Sequence, residues 1–571
     1  MQPKPSALRD ESKHLVCFSP THSFRMRGVA FLAACAATAG AAVTTRRAAL
    51  PTVDLGYAIH QASLNETGSY YKFGNIPYGE APIGDLRFAA PIKPQTVSRT
   101  VNNGSVERVC YQAYADWALK AYIGILGDSL EAIKAALYSD ARQTEDCLVL
   151  DVYVPTAVWN SKNVSAASVL VWIHGGGYEL GSKSDSGNPS GLVQRSSAVD
   201  PNGQGVIFVS INYRLGMFGF LSGPDPDVTK NAGLLDQRLA LEWVQEHIGI
   251  FGGDKAKVTV IGESAGGGGA VAQITAYGGE KGPAPFAKVI AQSAIWWTTP
   301  DEDGAWQQVL ANASTANNTV SSVKQLRALD LATLALVNQN VAGNSTSTGY
   351  AFSPVIDGTF LPDFPAQLLG AGQFYSDVEV ITGHNANESL YYFIANTSAV
   401  GPRIEARQTF LLGTSQDQLD YIYNTLYPEV LDGSYGYWSE LGRDLAMQDE
   451  ALFICNSVFL AEAFGDATHN YVFQGPPGTH GQDIAYTFYN NGEELDLANV
   501  AVVASTAHAM QDSFLAFAVG ADPSEASGTD AWPTYGLGRN VQEFSATGVV
   551  AGVDAINATR CAYWQSGAWK A

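Results

Sequence analysis

The stretch VTVIGESAGGGG, residues 258–269, is the most informative part of this chain for its expected architecture and chemistry. It begins as a short β-branched run, which is typical of a buried strand, and continues as Gly-Glu-Ser-Ala-Gly. Gly262 and Gly266 leave room for a tight turn that lifts the Ser264 hydroxyl above the sheet edge. A following helix would direct its N-terminal amides towards negative charge forming there. The stretch predicts a nucleophile elbow, and a purely structural turn is the alternative.

Strand-like and helix-like segments alternate along the chain from Val53 onward. Apolar residues at helical spacing, followed by glycines, predict a helix within 231–254. This alternation predicts an α/β fold with a large, mostly parallel sheet and helices on both faces. The regions 305–345 and 404–470 are predicted to be helical insertions packed around the sheet. The predicted strands lie within 147–155, 167–177, 205–216, 257–262, 288–294 and 378–385.

The composition is that of a globular protein with an acidic surface. The 571 residues are 46% hydrophobic and 15% charged, and the formal net charge is −22 at pH 7. That is enough apolar material for a sizeable core. Excess negative charge repels phosphate groups, so nucleic acid and anionic membrane surfaces are not expected partners. An acidic surface that keeps the protein soluble is the plainest interpretation.

The N-terminal region has the pattern of a secretory signal peptide. After Met26 come basic Arg27, an apolar run from Val29 to Ala39, and a cleavage pattern at residues 39–41. The alternative is a membrane anchor, but the run is shorter than the roughly 20 residues that a membrane span needs. The pattern therefore predicts a secreted, extracellular protein.

These patterns divide the chain into three parts. Residues 1–41 are predicted to be an N-terminal extension and signal peptide, with Met1 or Met26 as the start. A short N-terminal segment covers 42–52, and a single catalytic domain covers 53–571.

The cysteines and sequons fit an exported protein. Cys17 and Cys35 leave with the signal peptide, and four cysteines remain, which suits two disulfides in an oxidising compartment. Counting alone leaves three pairings open. Nine Asn-X-Ser/Thr sequons predict N-linked glycans. They begin at Asn65, Asn103, Asn163, Asn312, Asn317, Asn344, Asn387, Asn396 and Asn557.

A second glycine-rich stretch, WIHGGGYELG at 172–181, ends another apolar strand. A serine hydroxyl becomes a good nucleophile only when a base removes its proton, and the oxyanion that follows needs hydrogen-bond donors. The bare amides of a glycine run can approach a substrate closely. We therefore expect the oxyanion donors in this stretch, with a flexible loop as the alternative.

Together these motifs resemble the type B carboxylesterase/lipase family, which includes secreted fungal lipases and cholinesterases. The resemblance extends from about residue 53 to the C-terminus, and further segments follow in the family's order. It implies an α/β-hydrolase fold and hydrolysis of carboxylic esters through an acyl-enzyme, with no metal and no organic cofactor. The further segments are NIPYGEAPIGDLRF (75–88), EDCLVLDVYVP (145–155), NYRLGMFGFL (212–221), NAGLLDQRLALEWVQ (231–245) and FGGDKAKVTVIGESAG (251–266).

The resemblance also implies the other catalytic residues. The stretch 380–393 is similar to the family's acid loop, which places the acid at Glu388. The stretch 475–488 is similar to its histidine loop, which selects His480 over His469 and His508. His384 precedes the acid and breaks the order serine, acid, histidine. The implied oxyanion donors are the backbone amides of Gly176, Gly177 and Ala265.

The family pattern pairs the cysteines and one salt bridge. It implies disulfides between Cys110 and Cys147 and between Cys455 and Cys561. It also implies that Arg87 and Glu145 form a structural ion pair that braces the first disulfide loop.

The loop between Cys110 and Cys147 is relevant to which esters the protein accepts. It carries a cluster of apolar residues that fits either a lid opening onto a lipid or a long acyl chain, or a loop simply packed on the body. A lid would bring transient contact with a lipid interface. The cluster comprises Trp117, Leu119, Tyr122, Ile123, Ile125 and Leu126, and Trp296, Trp297 and Phe393 are candidate pocket residues.

Three other functions are weighed against a general carboxylesterase or lipase. Adhesion proteins with this fold lose triad residues, whereas all three are present here. Choline esterases carry a tryptophan in the first disulfide loop, but Trp117 is closer to Cys110 than that pattern requires. An esterase for aromatic acids stays open, since motifs identify the reaction and pocket shape selects the acyl group. The oligomeric state is not predicted.

Overall fold

A computed structural model describes residues 49–570 apart from 120–128, 162–165, 186, 297–301, 346–348, 391–410, 412–413 and 525–530. The predicted signal peptide lies outside the described residues, as do Tyr122, Ile123, Ile125, Leu126, Trp297 and Phe393. Leu50–Ala571 cluster as one compact unit. The predicted boundaries at residues 41 and 52 stay predictions.

The described strands form a large and a small sheet. The small sheet has the order β1-β2-β5, and the eleven-stranded sheet has the order β14-β13-β12-β11-β10-β9-β7-β8-β6-β4-β3. The bounds are β1 (Thr52–Asp54), β2 (Ile59–Gln61), β3 (Ser63–Asn65), β4 (Tyr70–Pro77), β5 (Val101–Asn102), β6 (Val149–Pro155), β7 (Ala167–Ile173), β8 (Ile207–Ile211), β9 (Gly253–Glu263), β10 (Lys288–Gln292), β11 (Glu379–Asn385), β12 (Thr468–Gln474), β13 (Asn540–Ser545) and β14 (Gly548–Val553).

The middle of the large sheet is parallel and its edges are antiparallel. The seven strands β8, β7, β9, β10, β11, β12 and β13 are parallel to one another. The pairs β3–β4, β4–β6, β6–β8 and β13–β14 are antiparallel. The six predicted strands correspond to β6 to β11, which confirms the mostly parallel α/β sheet. The antiparallel edges were not among the predicted features.

Both faces of the sheet are covered. In β7, Val169, Val171 and Ile173 belong to one buried cluster, whereas Leu170 and Trp172 belong to another. Successive side chains of a strand point to opposite faces, so a strand buried on both faces is apolar at every position. This accounts for the uninterrupted apolar runs in the sequence.

The helices pack against these faces and in the insertions. The helix predicted within 231–254 is Ala232–His247, and the two predicted helical regions contain several helices each. The bounds are α1 (Leu130–Tyr138), α2 (Thr156–Asn160), α3 (Ser190–Val199), α4 (Gly216–Phe220), α5 (Ala232–His247), α6 (Ala265–Thr275), α7 (Glu302–Ala313), α8 (Val323–Arg327), α9 (Leu331–Gly343), α10 (Pro365–Gly370), α11 (Gln416–Tyr421), α12 (Glu440–Asp449), α13 (Cys455–Phe464), α14 (Ile484–Thr487), α15 (Ala504–Val519) and α16 (Ala558–Ser566). No helix among the described residues is long and apolar enough to cross a bilayer.

Helix α6 is rich in glycine although glycine disfavours helices by about 1 kcal/mol per residue. The reason is close packing. A Cβ added to Gly266 would overlap the carbonyl of Ile173, and one added to Gly268 would overlap the carbonyl of Ile295. The glycines therefore let the helix approach the sheet closely, directly after Ser264.

Two disulfides and one ion pair brace the loops around the sheet. Cys110 is bonded to Cys147, and Cys455 is bonded to Cys561, which is the pairing that the resemblance implies. Arg87 donates two hydrogen bonds to Glu145, at 2.6 and 2.8 Å. This bidentate pair lies beside the first disulfide, as expected from the family pattern.

Candidate active site

Three polar side chains meet at the carboxyl ends of the parallel strands. Ser264 directly follows β9, Glu388 lies on the loop after β11, and His480 lies on the loop after β12. In open α/β sheets this edge is where ligands bind, because the loops of neighbouring parallel strands converge there. The fold therefore brings together residues that are far apart in the sequence.

The three side chains form a continuous hydrogen-bonded chain. The Nε2 atom of His480 lies 2.8 Å from the Oγ of Ser264, and its Nδ1 atom lies 2.7 Å from the Oε2 of Glu388. Glu388 is fully buried, while Ser264 and His480 are 7% and 9% exposed. Such a chain suits proton transfer from the hydroxyl to the imidazole, with the carboxylate orienting the ring.

The backbone of Ser264 has the geometry of a strained turn. Its φ is 58° and its ψ is −123°, a backbone conformation that residues other than glycine rarely adopt. Its amide donates to the carbonyl of Gln292 at 3.0 Å, and its carbonyl accepts from Gly268 at 2.9 Å. These bonds hold the hydroxyl at the mouth of the turn, at the N-terminal end of α6.

The glycine run after β7 lies against the serine. A Cβ added to Gly175 would lie 3.0 Å from the Cβ of Ser264. Gly176 and Gly177 have φ values of 106° and 61°. No described residue accepts a hydrogen bond from either of their amides. Together with Ala265, the first residue of α6, they supply amides near the hydroxyl that are suited to a developing oxyanion.

A family model described as the carboxylesterase family matches residues 59–564. The chain belongs to this family. Over 546 residues it is 37% identical to the carboxylesterase patB of Aspergillus clavatus, covering 90% of this chain and 96% of the relative. It is 28% identical to secreted lipase 1 of Botryotinia fuckeliana over 88% of this chain and 90% of that protein.

The fold of this carboxylesterase also has solved counterparts. The crystal structure of Aspergillus niger EstA superposes with a TM-score of 0.72 at 24% identity, covering 91% of this chain and 98% of EstA. The expected α/β-hydrolase fold is confirmed. The expectation that the protein is a carboxylic ester hydrolase is likewise confirmed by the family and its relatives.

The acid and histidine loops of this carboxylesterase are joined to each other. The amide of His480 donates to the carbonyl of Glu388 at 3.3 Å, and the amide of Asn387 donates to that of Gly478 at 2.8 Å. The side chain of Asn385 donates to the carbonyl of Thr479 at 2.8 Å. These bonds fix the distance between carboxylate and imidazole.

A further carboxyl group, that of Glu263, faces the imidazole. Its Oε1 lies 3.5 Å from the Nε2 of His480, the nitrogen that contacts Ser264. Burial raises the pKa of Glu263. Burial alone would lower the pKa of His480, but the charges of Glu263 and Glu388 outweigh it and the pKa is raised. The Glu263–His480 pair therefore retains protons to higher pH than isolated groups would.

Asp449 lies behind the acid loop. It accepts a hydrogen bond from the amide of Ser389 at 2.5 Å. Burial raises the pKa of Asp449 to about 7. At neutral pH the Asp449 carboxyl group is therefore only partly ionised.

The segment of the first disulfide loop that directly precedes residue 120 is packed against the body of the protein. Trp117 and Leu119 are 5% and 2% exposed. The indole nitrogen of Trp117 donates to the carbonyl of Gly349 at 2.8 Å, and its ring contacts Tyr350 edge-on at 5.4 Å. Since the other four residues of the predicted lid face lie outside the described residues, the lid stays a prediction.

Three other histidines that the sequence analysis weighed, His384, His469 and His508, do not contact Ser264 or Glu388 in the part of the chain that the structure describes. The Nδ1 of His384 lies 3.0 Å from the carbonyl of Asn385, and His508 contacts the side chain of Asn491. His469 contacts the ring of Trp532. Of the candidate pocket residues, Trp296 is buried, at 2% exposure.

Sequence reasoning missed Glu263 and Phe453. Glu263 is the variable residue of the Gly-X-Ser-X-Gly pattern, so an acidic residue directly before Ser264, at the end of an apolar strand, is the signal that the sequence offers. Phe453 packs against the ring of His480 with centroids 4.5 Å apart. It comes from a distant insertion, and no local pattern indicates that contact.

Proposed function

We propose that this carboxylesterase is a secreted serine hydrolase that cleaves carboxylic esters through an acyl-enzyme, with Ser264, His480 and Glu388 as the triad. The observation that carries the proposal is the hydrogen-bonded chain from Ser264 through His480 to Glu388, at 2.8 and 2.7 Å. The sharp turn at Ser264 and the adjacent glycine amides support it.

In the first half-reaction, His480 Nε2 takes the proton of the Ser264 hydroxyl as Oγ bonds to the ester carbonyl carbon. The carbonyl oxygen becomes an oxyanion that accepts hydrogen bonds from the amides of Gly176, Gly177 and Ala265. One such donor is typically worth about 3–4 kcal/mol of barrier. The C–O bond to the alcohol then breaks, and the imidazolium gives its proton to the departing alkoxide. The acyl group stays on Ser264.

In the second half-reaction, water takes the place of the alcohol. His480 removes a proton from the water while its oxygen attacks the acyl carbon, and the same amides stabilise the new oxyanion. Collapse of this intermediate breaks the bond to Ser264, whose oxygen recovers the proton from the imidazolium. Glu388 holds the ring and stabilises its charged form in both halves. The products are the free acid and the alcohol.

The same proposal includes export and N-linked glycans. Two disulfides in the structure suit an oxidising compartment, and one relative is named as a secreted lipase. Among the sequon asparagines, the side chain of Asn387 donates to the carbonyl of Pro477 at 2.7 Å, which disfavours a glycan there. Within the part of the chain that the structure describes, the exposed sequon asparagines are Asn103, Asn312, Asn317, Asn344, Asn387 and Asn557.

The substrate is a small-molecule or lipid ester, and its chain length separates the candidates. The test is hydrolysis of p-nitrophenyl esters from acetyl to palmitoyl by the secreted protein, with Ser264→Ala as the control. Loss of about 10⁶-fold in kcat is expected for that variant. Rates that rise with chain length indicate a lipase, and turnover of short chains alone indicates an esterase. Equal activity of Ser264→Ala and wild type would refute the mechanism.

A further inference from the structure

Glu179 joins the oxyanion loop to two other segments. It is fully buried and lies two residues after Gly177. Its amide donates to the carbonyl of Gly176 at 3.1 Å, and its carbonyl accepts from Ala113, close to the first disulfide, at 2.8 Å. Its side chain reaches the other way, since Oε1 accepts the amide of Phe352 at 3.0 Å. Glu179 thus fixes the position of the glycine loop relative to the segments that contain Ala113 and Phe352.

The segment held by Glu179 covers the glycine loop. A Cβ added to Gly177 would overlap the ring of Tyr350, so the ring packs directly against the Gly177 backbone. The segment is anchored on both sides of Tyr350, by the Trp117 indole at Gly349 and by Glu179 at Phe352. Because Gly177 adopts a left-handed conformation, this packing restrains the direction in which its amide points.

The chemistry of the Glu179 carboxyl is that of a neutral hydrogen-bonding group. No described residue forms a salt bridge with it, and its Oε2 atom has no hydrogen-bond partner among the residues that the structure describes. Burial raises the pKa of Glu179 to about 8. At neutral pH it therefore serves as an acceptor for the Phe352 amide without a buried charge, and an amide side chain of the same shape would serve as well.

We propose that Glu179 is a positioning residue of ester hydrolysis: by holding Phe352 it keeps Tyr350 packed on Gly177 and keeps the Gly177 amide aimed at the oxyanion. The inference rests on the proposed role of Gly177 as an oxyanion donor. Glu179 does not touch the reacting atoms. Its effect passes through Phe352 and Tyr350, so its loss acts on the transition state more than on ground-state binding.

The test compares Glu179→Gln with Glu179→Leu. The glutamine keeps an acceptor for the Phe352 amide, whereas leucine fills a similar volume without one. Measured on p-nitrophenyl acetate at pH 7, the glutamine variant should stay within about threefold of wild type. The leucine variant should lose roughly 10- to 100-fold in kcat with KM changed less than about twofold, since removing a whole oxyanion donor costs about 10²–10³.

Two further measurements separate positioning from simple structural damage. The Ser264 oxygen adds to the carbonyl carbon of a trifluoromethyl ketone and forms a hemiketal oxyanion that resembles the transition state. Such a ketone should bind the leucine variant more weakly than wild type, by about the same factor as kcat falls. Trp117→Phe removes the other anchor and should give a smaller loss of the same kind. If the leucine variant does not fold, the kcat of Trp117→Phe still tests the inference.

Three results would overturn the inference. The first is a leucine variant that melts earlier but keeps kcat and ketone affinity. The second is a glutamine variant as damaged as the leucine variant. The third, should leucine not fold, is unchanged kcat in Trp117→Phe. If Ser264→Ala abolishes the wild-type turnover and any of these three results is found, only the role of Glu179 is refuted and the proposed function stands. No turnover by wild type would sink the proposed function and this inference with it.

Discussion

The two sides of the His480 ring face very different carboxyl groups. On the Nδ1 side, Glu388 lies at 2.7 Å, and its second oxygen accepts the amide of Asn385 at 2.6 Å. On the Nε2 side, Glu263 lies at 3.5 Å, and the oxygen facing the ring has no hydrogen-bond partner among the described residues. Both carboxyl groups are buried.

The difference teaches how one imidazole can be held by two acids with separate roles. A carboxylate supplied with a backbone donor and a direct hydrogen bond fixes the tautomer and the orientation of the ring. A carboxyl group at a longer distance without such donors acts through its charge and retains its proton more readily. We therefore expect Glu388 to determine whether catalysis occurs and Glu263 to determine at which pH.

The largest expected effect is that of Glu388→Gln. The amide keeps the shape but reverses the hydrogen bond to Nδ1, so the ring no longer presents the correct tautomer to Ser264. We expect kcat to fall about 10⁴-fold with little change in KM. Steady-state kinetics on p-nitrophenyl butyrate measure this, with circular dichroism as the folding control. A loss of kcat smaller than tenfold would contradict the separate roles assigned to Glu388 and Glu263.

Glu263→Gln should cost far less, about 10-fold in kcat at pH 9. The imidazolium formed in the transition state loses a nearby negative charge but keeps its hydrogen-bond partners. The loss should shrink towards pH 7, where the raised pKa leaves Glu263 more protonated in the wild type. The same ester assay at both pH values checks it. A larger loss than for Glu388→Gln would reverse the assigned roles.

The pH dependence of hydrolysis should also distinguish the two carboxyl groups. Only unprotonated His480 can accept the serine proton, and its raised pKa delays that form, so kcat/KM of wild type should rise as the pH increases through the alkaline range. Removing the Glu263 charge destabilises the imidazolium, so the Glu263→Gln profile should move to lower pH by about 1 unit. Profiles from pH 5 to 10, corrected for spontaneous hydrolysis, test this. A shift to higher pH would contradict it.

The smallest expected effect is on stability, at Asp449. Its folded-state pKa of about 7 is above the ordinary value of 3.8, so the unfolded chain releases this proton first. The folded state is thus weakened as pH rises between roughly 4 and 7. Asp449→Asn removes this penalty, and its Tm relative to wild type should be about 2–3 °C higher at pH 8 than at pH 5. Calorimetry that finds equal differences at both pH values would exclude a neutral Asp449.

The features that the sequence predicts well are those with a local pattern. The parallel strands show as apolar runs because both of their faces are buried, and the elbow shows as small residues around Ser264. The family resemblance implies Glu388 and His480, and the structure places the His480 ring within hydrogen-bond distance of both Glu388 and Ser264. Their catalytic roles stay proposals.

The features that could not be predicted depend on packing between distant segments. The contact of Phe453 with His480 and that of Tyr350 with Gly177 join residues with no shared spacing or motif. The edge strands β3 and β14 are partly exposed, so their apolar signal is weak. The hydrogen bond that Glu179 accepts comes from Phe352, which is 173 residues away in the chain.

The glycines of the elbow also constrain how this enzyme can change under selection. Side chains added at Gly262, Gly266 or Gly268 would overlap backbone atoms, which cannot move aside cheaply. A mutant library that randomises these positions should return mostly misfolded protein, whatever ester is used for screening. New substrate preferences are therefore expected from substitutions outside the elbow, where a change of side-chain size does not displace Ser264.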